Sequence, residues 1–242
     1  MVKRIAVVVP AYNEEKNIAG VVNEINAIKS EIDFILDVVV INDCSQDHTE
    51  NIASKLNCIL INLPVNLGIG GAMQTGFKYA YENKYDFAMQ VDGDGQHPPA
   101  EIPKLTKAIT QNGFDVIIGS RFIENGGFMS TFSRRLGITF FKYLIRFFCG
   151  ITITDSTSGF RIINDKALAI VNEYYPDEYP EPESIILFKK NNLKIGEIPV
   201  KMRKRQGGVS SIRKFTSIYY MLKVSLAIFF TYIKTKPTTW KM

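Results

Sequence analysis

Histidine and cysteine are scarce in this chain: two and three residues among 242. His48 and His97 are isolated, and Cys44, Cys58 and Cys149 lie far apart. Neither zinc-type spacing nor a disulfide framework results, so the pattern predicts a reducing, cytoplasmic setting. No apolar run reaches the roughly 20 residues needed to cross a bilayer. Lys3 and Arg4 lead into a short apolar run that turns into Pro10-Ala11-Tyr12-Asn13-Glu14-Glu15, which predicts no secretory signal. There is no phosphate-binding P-loop, and the segment from Gly68 to Gly76 misses the dinucleotide pattern because its third glycine position is Met73. No arginine-containing glycine-rich loop follows the first strand, which sets aside sugar nucleotidyltransferases. Nucleic-acid binding has only a net charge of +5 behind it and is set aside too. No linker or internal repeat divides the chain.

What is present is a regular alternation. Apolar runs at Arg4–Val9, Leu36–Ile41, Ile59–Leu63, Phe87–Val91 and Val116–Ser120 alternate with helical patterns near 14–29, 47–55, 70–82 and 100–111. This order predicts an α/β domain with a mainly parallel sheet flanked by helices. With 46% hydrophobic residues the chain can bury a substantial core. Asn13 is expected to cap the first helix.

Each strand gives way to polar residues, and the fourth gives way to Asp92-Gly93-Asp94-Gly95-Gln96-His97. Two carboxylates one residue apart with an amide beyond them have two readings. One is an Asp/Gly turn that ends a strand. The other is a site for Mg²⁺ or Mn²⁺, hard ions that take a few protein oxygens and complete their shell with water and phosphate. In open parallel sheets ligands bind beyond the carboxyl ends of the strands, so these loops are expected to share one crevice.

Six segments in order carry a resemblance: Pro10 to Glu15, Ile41 to Thr49, Asn66 to Ala72, Asp92 to His97, Gly119 to Phe122 and Ser158 to Arg161. Together they resemble inverting glycosyltransferases of family 2, in the branch of dolichol-phosphate mannosyltransferases and bacterial polyprenyl-phosphate glycosyltransferases. The resemblance covers roughly residues 3 to 212 and implies a single GT-A-type nucleotide-diphospho-sugar transferase domain over residues 1–212. It gives Asp43 the nucleoside contact, Pro10, Tyr12 and Glu14 the base and ribose pocket, and Asp92, Asp94 and Gln96 the metal and diphosphate. Gly70 is either a backbone approach to the nucleotide or a packing glycine. The position before Asp43 is often a second Asp in the family but is Asn42 here, which leaves the base open.

For the acceptor, the resemblance places Arg121, Arg135 and Thr139 around a lipid phosphate. An ionised phosphate needs no deprotonation, whereas a sugar hydroxyl needs a general base. Among the downstream carboxylates Asp155, Glu181 and Glu183, Asp155 is the favoured base if one exists, and the paired acidic motif of hydroxyl-using relatives is not evident. Arg203, Arg205 and Gly207 to Ser211 resemble the family element that closes over diphosphate. The expected function is therefore transfer of a hexose from a nucleotide-diphosphate sugar to a polyprenyl phosphate. The alternatives are transfer to a glycan hydroxyl and, behind that, nucleotide-sugar binding with little turnover.

Two segments, Leu136–Cys149 and Ile218–Ile233, are apolar at helical spacing with Lys and Arg around them. Such helices lie on a membrane surface or pack on a core. The first reading assigns residues 213–242 to membrane or partner docking. It places the protein peripherally on the inner face of the cell membrane, with a small integral-membrane protein as a further candidate partner.

Overall fold

The computed structural model describes residues 2–123, 132–203 and 216–235. Seven strands form one sheet: β1 (Arg4–Ala11), β2 (Ile35–Asn42), β3 (Ile59–Asn62), β4 (Phe87–Gln90), β5 (Val116–Ser120), β6 (Arg161–Asn164) and β7 (Ile195–Pro199). Their order is β3-β2-β1-β4-β6-β5-β7. β6 runs antiparallel to both neighbours, while the other pairings are parallel. The expected mainly parallel sheet is therefore found, with one reversed strand.

The strands read as continuous apolar runs because both faces of the sheet are covered. Along β1, Ala6 and Val8 join one cluster while Ile5, Val7 and Val9 join the other. The second cluster is closed by α1 (Ile18–Ala27), the short α2 (Thr49–Ala53) and α4 (Ile102–Gln111). The first is closed by α3 (Gly68–Glu82), α5 (Phe132–Cys149), α6 (Asp165–Glu173), α7 (Pro180–Lys190) and α8 (Thr216–Lys234).

Asn13 is not the helix cap. It takes φ of 56°, its main-chain N–H donates to Ser45 Oγ at 3.0 Å, and its side-chain oxygen accepts from Gln46 N–H at 2.8 Å. The helix starts later, at Ile18. Asn13 instead ties the loop after β1 to the loop after β2, and Glu14 N–H adds a bond to Thr49 Oγ1 at 2.8 Å.

α5 and α8 each carry two apolar faces. Phe141, Ile145, Val224 and Ile228 are buried in the core, while Phe140, Tyr143, Phe147, Leu222, Leu226, Phe229, Phe230 and Ile233 are exposed. Phe148 of α5 meets Tyr232 of α8, with ring centroids 5.0 Å apart, which joins the two helices. α8 thus completes the same core as the sheet. Among the described residues no helix is long and apolar enough to cross a membrane.

Candidate functional site

The carboxyl ends of β1, β2, β4 and β5 open on one side of the sheet, and the reversed β6 begins there. Register fixes this arrangement: Arg161, the first residue of β6, lies opposite Gln90 at the end of β4 and opposite Ile118 of β5. The segment leading into β6 therefore meets the loops that leave its neighbours.

Asp92 is held from three directions. Gln90 Nε2 donates to Asp92 Oδ1 at 3.0 Å. The Asp92 main-chain N–H donates to His97 Nδ1 at 3.0 Å, and His97 Nε2 lies 3.5 Å from Asp92 Oδ2. A side chain on Gly159 would have its Cβ 2.4 Å from Gln90 Nε2, so glycine here leaves the Gln90 amide in place beside Asp92. Asp94 Oδ1 accepts Gln96 N–H at 3.0 Å and shapes the turn. The carbonyl of Gln96 receives Arg203 N–H at 2.9 Å, which brings the start of the C-terminal segment to the same turn. The Arg203 guanidinium pairs with Glu24 of α1 at 2.7 Å.

His97 is scarcely isolated in space. It is buried and stacks on Phe160, with centroids 4.9 Å apart and planes at 12°. Burial holds its pKa below the ordinary value despite the pull of Asp92 and Asp94. The ring is neutral, and because Nδ1 accepts a hydrogen bond the proton sits on Nε2.

Beneath Asp92 is a buried polar layer built on Arg161, the last residue of the Ser158 to Arg161 segment, for which the sequence predicts no role. Arg161 is 1% exposed and donates to the carbonyls of Ser158 and Glu181 and to Ser184 Oγ. Burial raises the pKa of Glu181, against the pull of Arg161 and a hydrogen bond with Gln90. Gln90 Oε1 and Tyr175 Oη are buried without partners.

Asp43 is also buried, and its carboxylate accepts the N–H groups of Leu67 at 2.7 Å and Gly68 at 2.9 Å. It anchors the start of α3. Asn42 is equally engaged, donating to Asn62 Oδ1 at 2.9 Å and accepting from Ser45 N–H. Pro10 is buried near the end of β1, and Tyr12 is exposed on the loop that follows. Gly70 has a packing role: a Cβ there would lie 2.0 Å from the carbonyl oxygen of Asp177.

Arg121 and Asp155 form a bidentate pair, Nε to Oδ2 and Nη2 to Oδ1 both at 2.7 Å. Asp155 is fully buried, and Arg121 N–H adds a third bond to it at 3.1 Å. The carboxylate expected as a base and the arginine expected at a phosphate therefore hold each other. Glu197 of β7 carries this loop, accepting from Thr154 N–H at 2.7 Å and Asp155 N–H at 2.9 Å. Glu183 lies elsewhere, accepting from Thr231 of α8 at 2.8 Å. Thr139 is exposed on α5. Arg135 lies on the same helix, and its side chain is outside the described residues, as are Arg205 and Gly207 to Ser211.

The donors at the end of β4 suit a hard divalent ion. Asp92 and Asp94 supply anionic oxygens and Gln96 a neutral one, while among the described residues no group of three His, Cys, Asp or Glu forms a closed metal cage. An ion held here needs further oxygens, such as water and phosphate supply.

A sheet of this order with an acidic turn at its carboxyl edge has the architecture of GT-A sugar-nucleotide transferases. Glucosyl-3-phosphoglycerate synthase from Mycobacterium tuberculosis, solved with Mn²⁺, UDP-glucose and phosphoglyceric acid, superposes with a TM-score of 0.71 at 20% identity, covering 98% of this chain and 81% of that one. The protein is a glycosyltransferase: it belongs to glycosyl transferase family 2, whose pattern matches residues 6–171. Among relatives, the UDP-N-acetylglucosamine–dolichyl-phosphate N-acetylglucosaminyltransferase of Methanococcus voltae is 33% identical over 222 residues, 82% of this chain and 85% of that protein. The polyprenol monophosphomannose synthase of Mycolicibacterium smegmatis is 26% identical over 233 residues, 92% and 86% of the two chains.

Proposed function

We propose that this enzyme moves a sugar from a nucleotide-diphosphate donor to a polyprenyl phosphate at the cytoplasmic face of a membrane. The observation that carries the acceptor assignment is the second apolar face of α5 and α8, where Phe140, Tyr143, Phe147, Phe229 and Phe230 stay exposed although both helices also fill the core. Core packing explains one face and leaves the other for a lipid. Lys142, Arg146 and Lys234 on the same helices suit anionic headgroups. The names of the relatives from Methanococcus voltae and Mycolicibacterium smegmatis support the same acceptor class.

The chemistry follows from the residues. The donor diphosphate lies at the turn of Asp92, Asp94 and Gln96, which hold Mg²⁺ or Mn²⁺. Bound there, such an ion stabilises the negative charge that grows on the leaving diphosphate. Asp43 fixes the loop that begins α3, and Pro10, Tyr12 and Glu14 border the nucleoside. Asp155 is committed to Arg121, so neither oxygen is free to take a proton from an alcohol. A lipid phosphate, ionised at neutral pH, requires no such step. Arg121, whose fork is held by Asp155, steadies the loop beside the acceptor; the acceptor phosphate is assigned to Arg135 and Thr139, and a donor contact to Arg205.

The test is transfer from UDP- and GDP-sugars to a short-chain polyprenyl phosphate beside sugar-hydroxyl acceptors. Formation of the lipid-phosphate sugar alone is expected. Transfer only to hydroxyls would overturn the acceptor assignment. Vesicle binding by the isolated chain separates a lipid surface from a small integral-membrane partner as the occupant of the exposed face.

A further inference from the structure

We infer that His97 is a positioning residue that sets Asp92 for ligand binding, holding its main chain with one ring nitrogen and facing its carboxylate with the other. The inference rests on the proposed role of Asp92 in holding a metal ion beside the donor diphosphate.

A buried imidazole needs a reason to be there, since its polar atoms lose water. Stacking on Phe160 does not supply one, because a phenyl ring would stack as well. The polar contacts of His97 are instead directed at one residue. Nδ1 accepts the main-chain N–H of Asp92 at 3.0 Å, and that bond leaves the proton on Nε2, which lies 3.5 Å from Asp92 Oδ2. Gln90 holds Oδ1 from the opposite side at 3.0 Å. Main chain and Oδ1 are thus hydrogen-bonded while Oδ2 faces the imidazole, and the Asp92 side chain, 31% exposed, can still be reached by a ligand. Residues that orient a metal-holding group in this way commonly change metal affinity about 10- to 100-fold when replaced.

Two substitutions separate positioning from packing. His97→Phe keeps the stack and removes both contacts, leaving the Asp92 N–H without an acceptor. His97→Asn keeps one, because its side-chain oxygen stands where Nδ1 does.

The experiment follows Mn²⁺ binding by electron paramagnetic resonance with UDP and with GDP, alongside thermal unfolding and donor-hydrolysis kinetics. His97→Phe is expected to raise the Mn²⁺ dissociation constant about 10- to 100-fold. His97→Asn recovers part of that loss, and the hydrolysis defect falls on kcat more than on the donor KM. Wild-type Mn²⁺ affinity in both variants, even with lowered thermal stability, would reduce His97 to a packing residue. If His97→Phe fails to fold, His97→Asn decides: wild-type affinity overturns the inference, and a several-fold loss supports it. Wild-type protein that binds no Mn²⁺ with either nucleotide removes the metal reading itself, and the inference with it.

Discussion

Arg121 and Asp155 meet edge to edge, with both N···O distances at 2.7 Å, so the planar fork that suits a phosphate is turned onto a carboxylate of the same chain. Removing one partner of a buried pair strands the other charge, at a cost of about 3–5 kcal/mol. Asp155→Ala is therefore expected to lower stability by that order, and Arg121→Lys to lower it less, because charge survives but the fork does not. A double change, Arg121→Met with Asp155→Leu, should be more stable than Asp155→Ala. Urea unfolding of the set checks this, and midpoints that match wild type throughout would show that the pair contributes nothing.

Chelation is expected to stop turnover. Asp94→Asn keeps the shape of the turn, since its side-chain oxygen can still accept Gln96 N–H, but it loses an anionic ligand. Its kcat should fall by orders of magnitude with an unchanged circular dichroism spectrum. Undiminished turnover in excess chelator would rule out a metal requirement.

Asp43→Ala removes the acceptor for two main-chain N–H groups. Hydrogen bonds to a charged group contribute about 1.5–3 kcal/mol, so stability should drop while the loop before α3 loosens. Donor KM is expected to rise before kcat falls, since a nucleoside pocket is used in ground and transition states alike. Calorimetry that finds wild-type nucleotide affinity would dissociate this loop from the donor.

On α5 and α8 the two apolar faces should respond differently. Phe147→Asp combined with Phe230→Asp is expected to keep the unfolding temperature and to abolish binding to anionic vesicles at low salt. Ile228→Ala, at a fully buried position, should cost about 2–5 kcal/mol and leave vesicle binding intact. For the same reason truncation after Ile212 is expected to expose core and cause aggregation rather than release a soluble enzyme. A truncated chain that stays monomeric and active would contradict this.

Asp47 joins the first two loops. Burial would raise its pKa, but hydrogen bonds from Thr49 and Glu15 outweigh that and hold it below the ordinary 3.8. A lowered carboxyl stabilises the fold above 3.8 and loses that contribution as pH falls through the folded value. The stability gap between wild type and Asp47→Asn should therefore be widest near neutrality and close in acid. A gap independent of pH would mean that the charge plays no part.

The strands β1, β2, β4 and β5 were legible because each is buried on both faces and so is almost continuously apolar, and β3, half-buried at the sheet edge, through its run Ile59-Leu60-Ile61. β6 and β7 were not, since each is short and carries a charged residue, Arg161 or Glu197, whose partners include groups distant in sequence, Ser184 for Arg161 and Thr154 for Glu197. The acidic turn after β4 stood out by spacing. His97 lay inside that turn but was discounted, because ring stacking and a bond to the main chain leave no trace in composition. The Arg121–Asp155 pair depends on the reversal of β6, which no local pattern announces. Gly70 was open between two readings, and the close approach of Asp177 accounts for it as a packing position.

That reversal also acts as a ruler. α5 ends at Cys149, and six residues later the chain reaches Asp155, already locked to Arg121. So short a tether fixes the height of the Arg121–Asp155 pair above whatever α5 rests on. Lengthening it by a few residues next to Gly150 would leave both ends intact and change that height, turning the reach of the enzyme into an adjustable quantity.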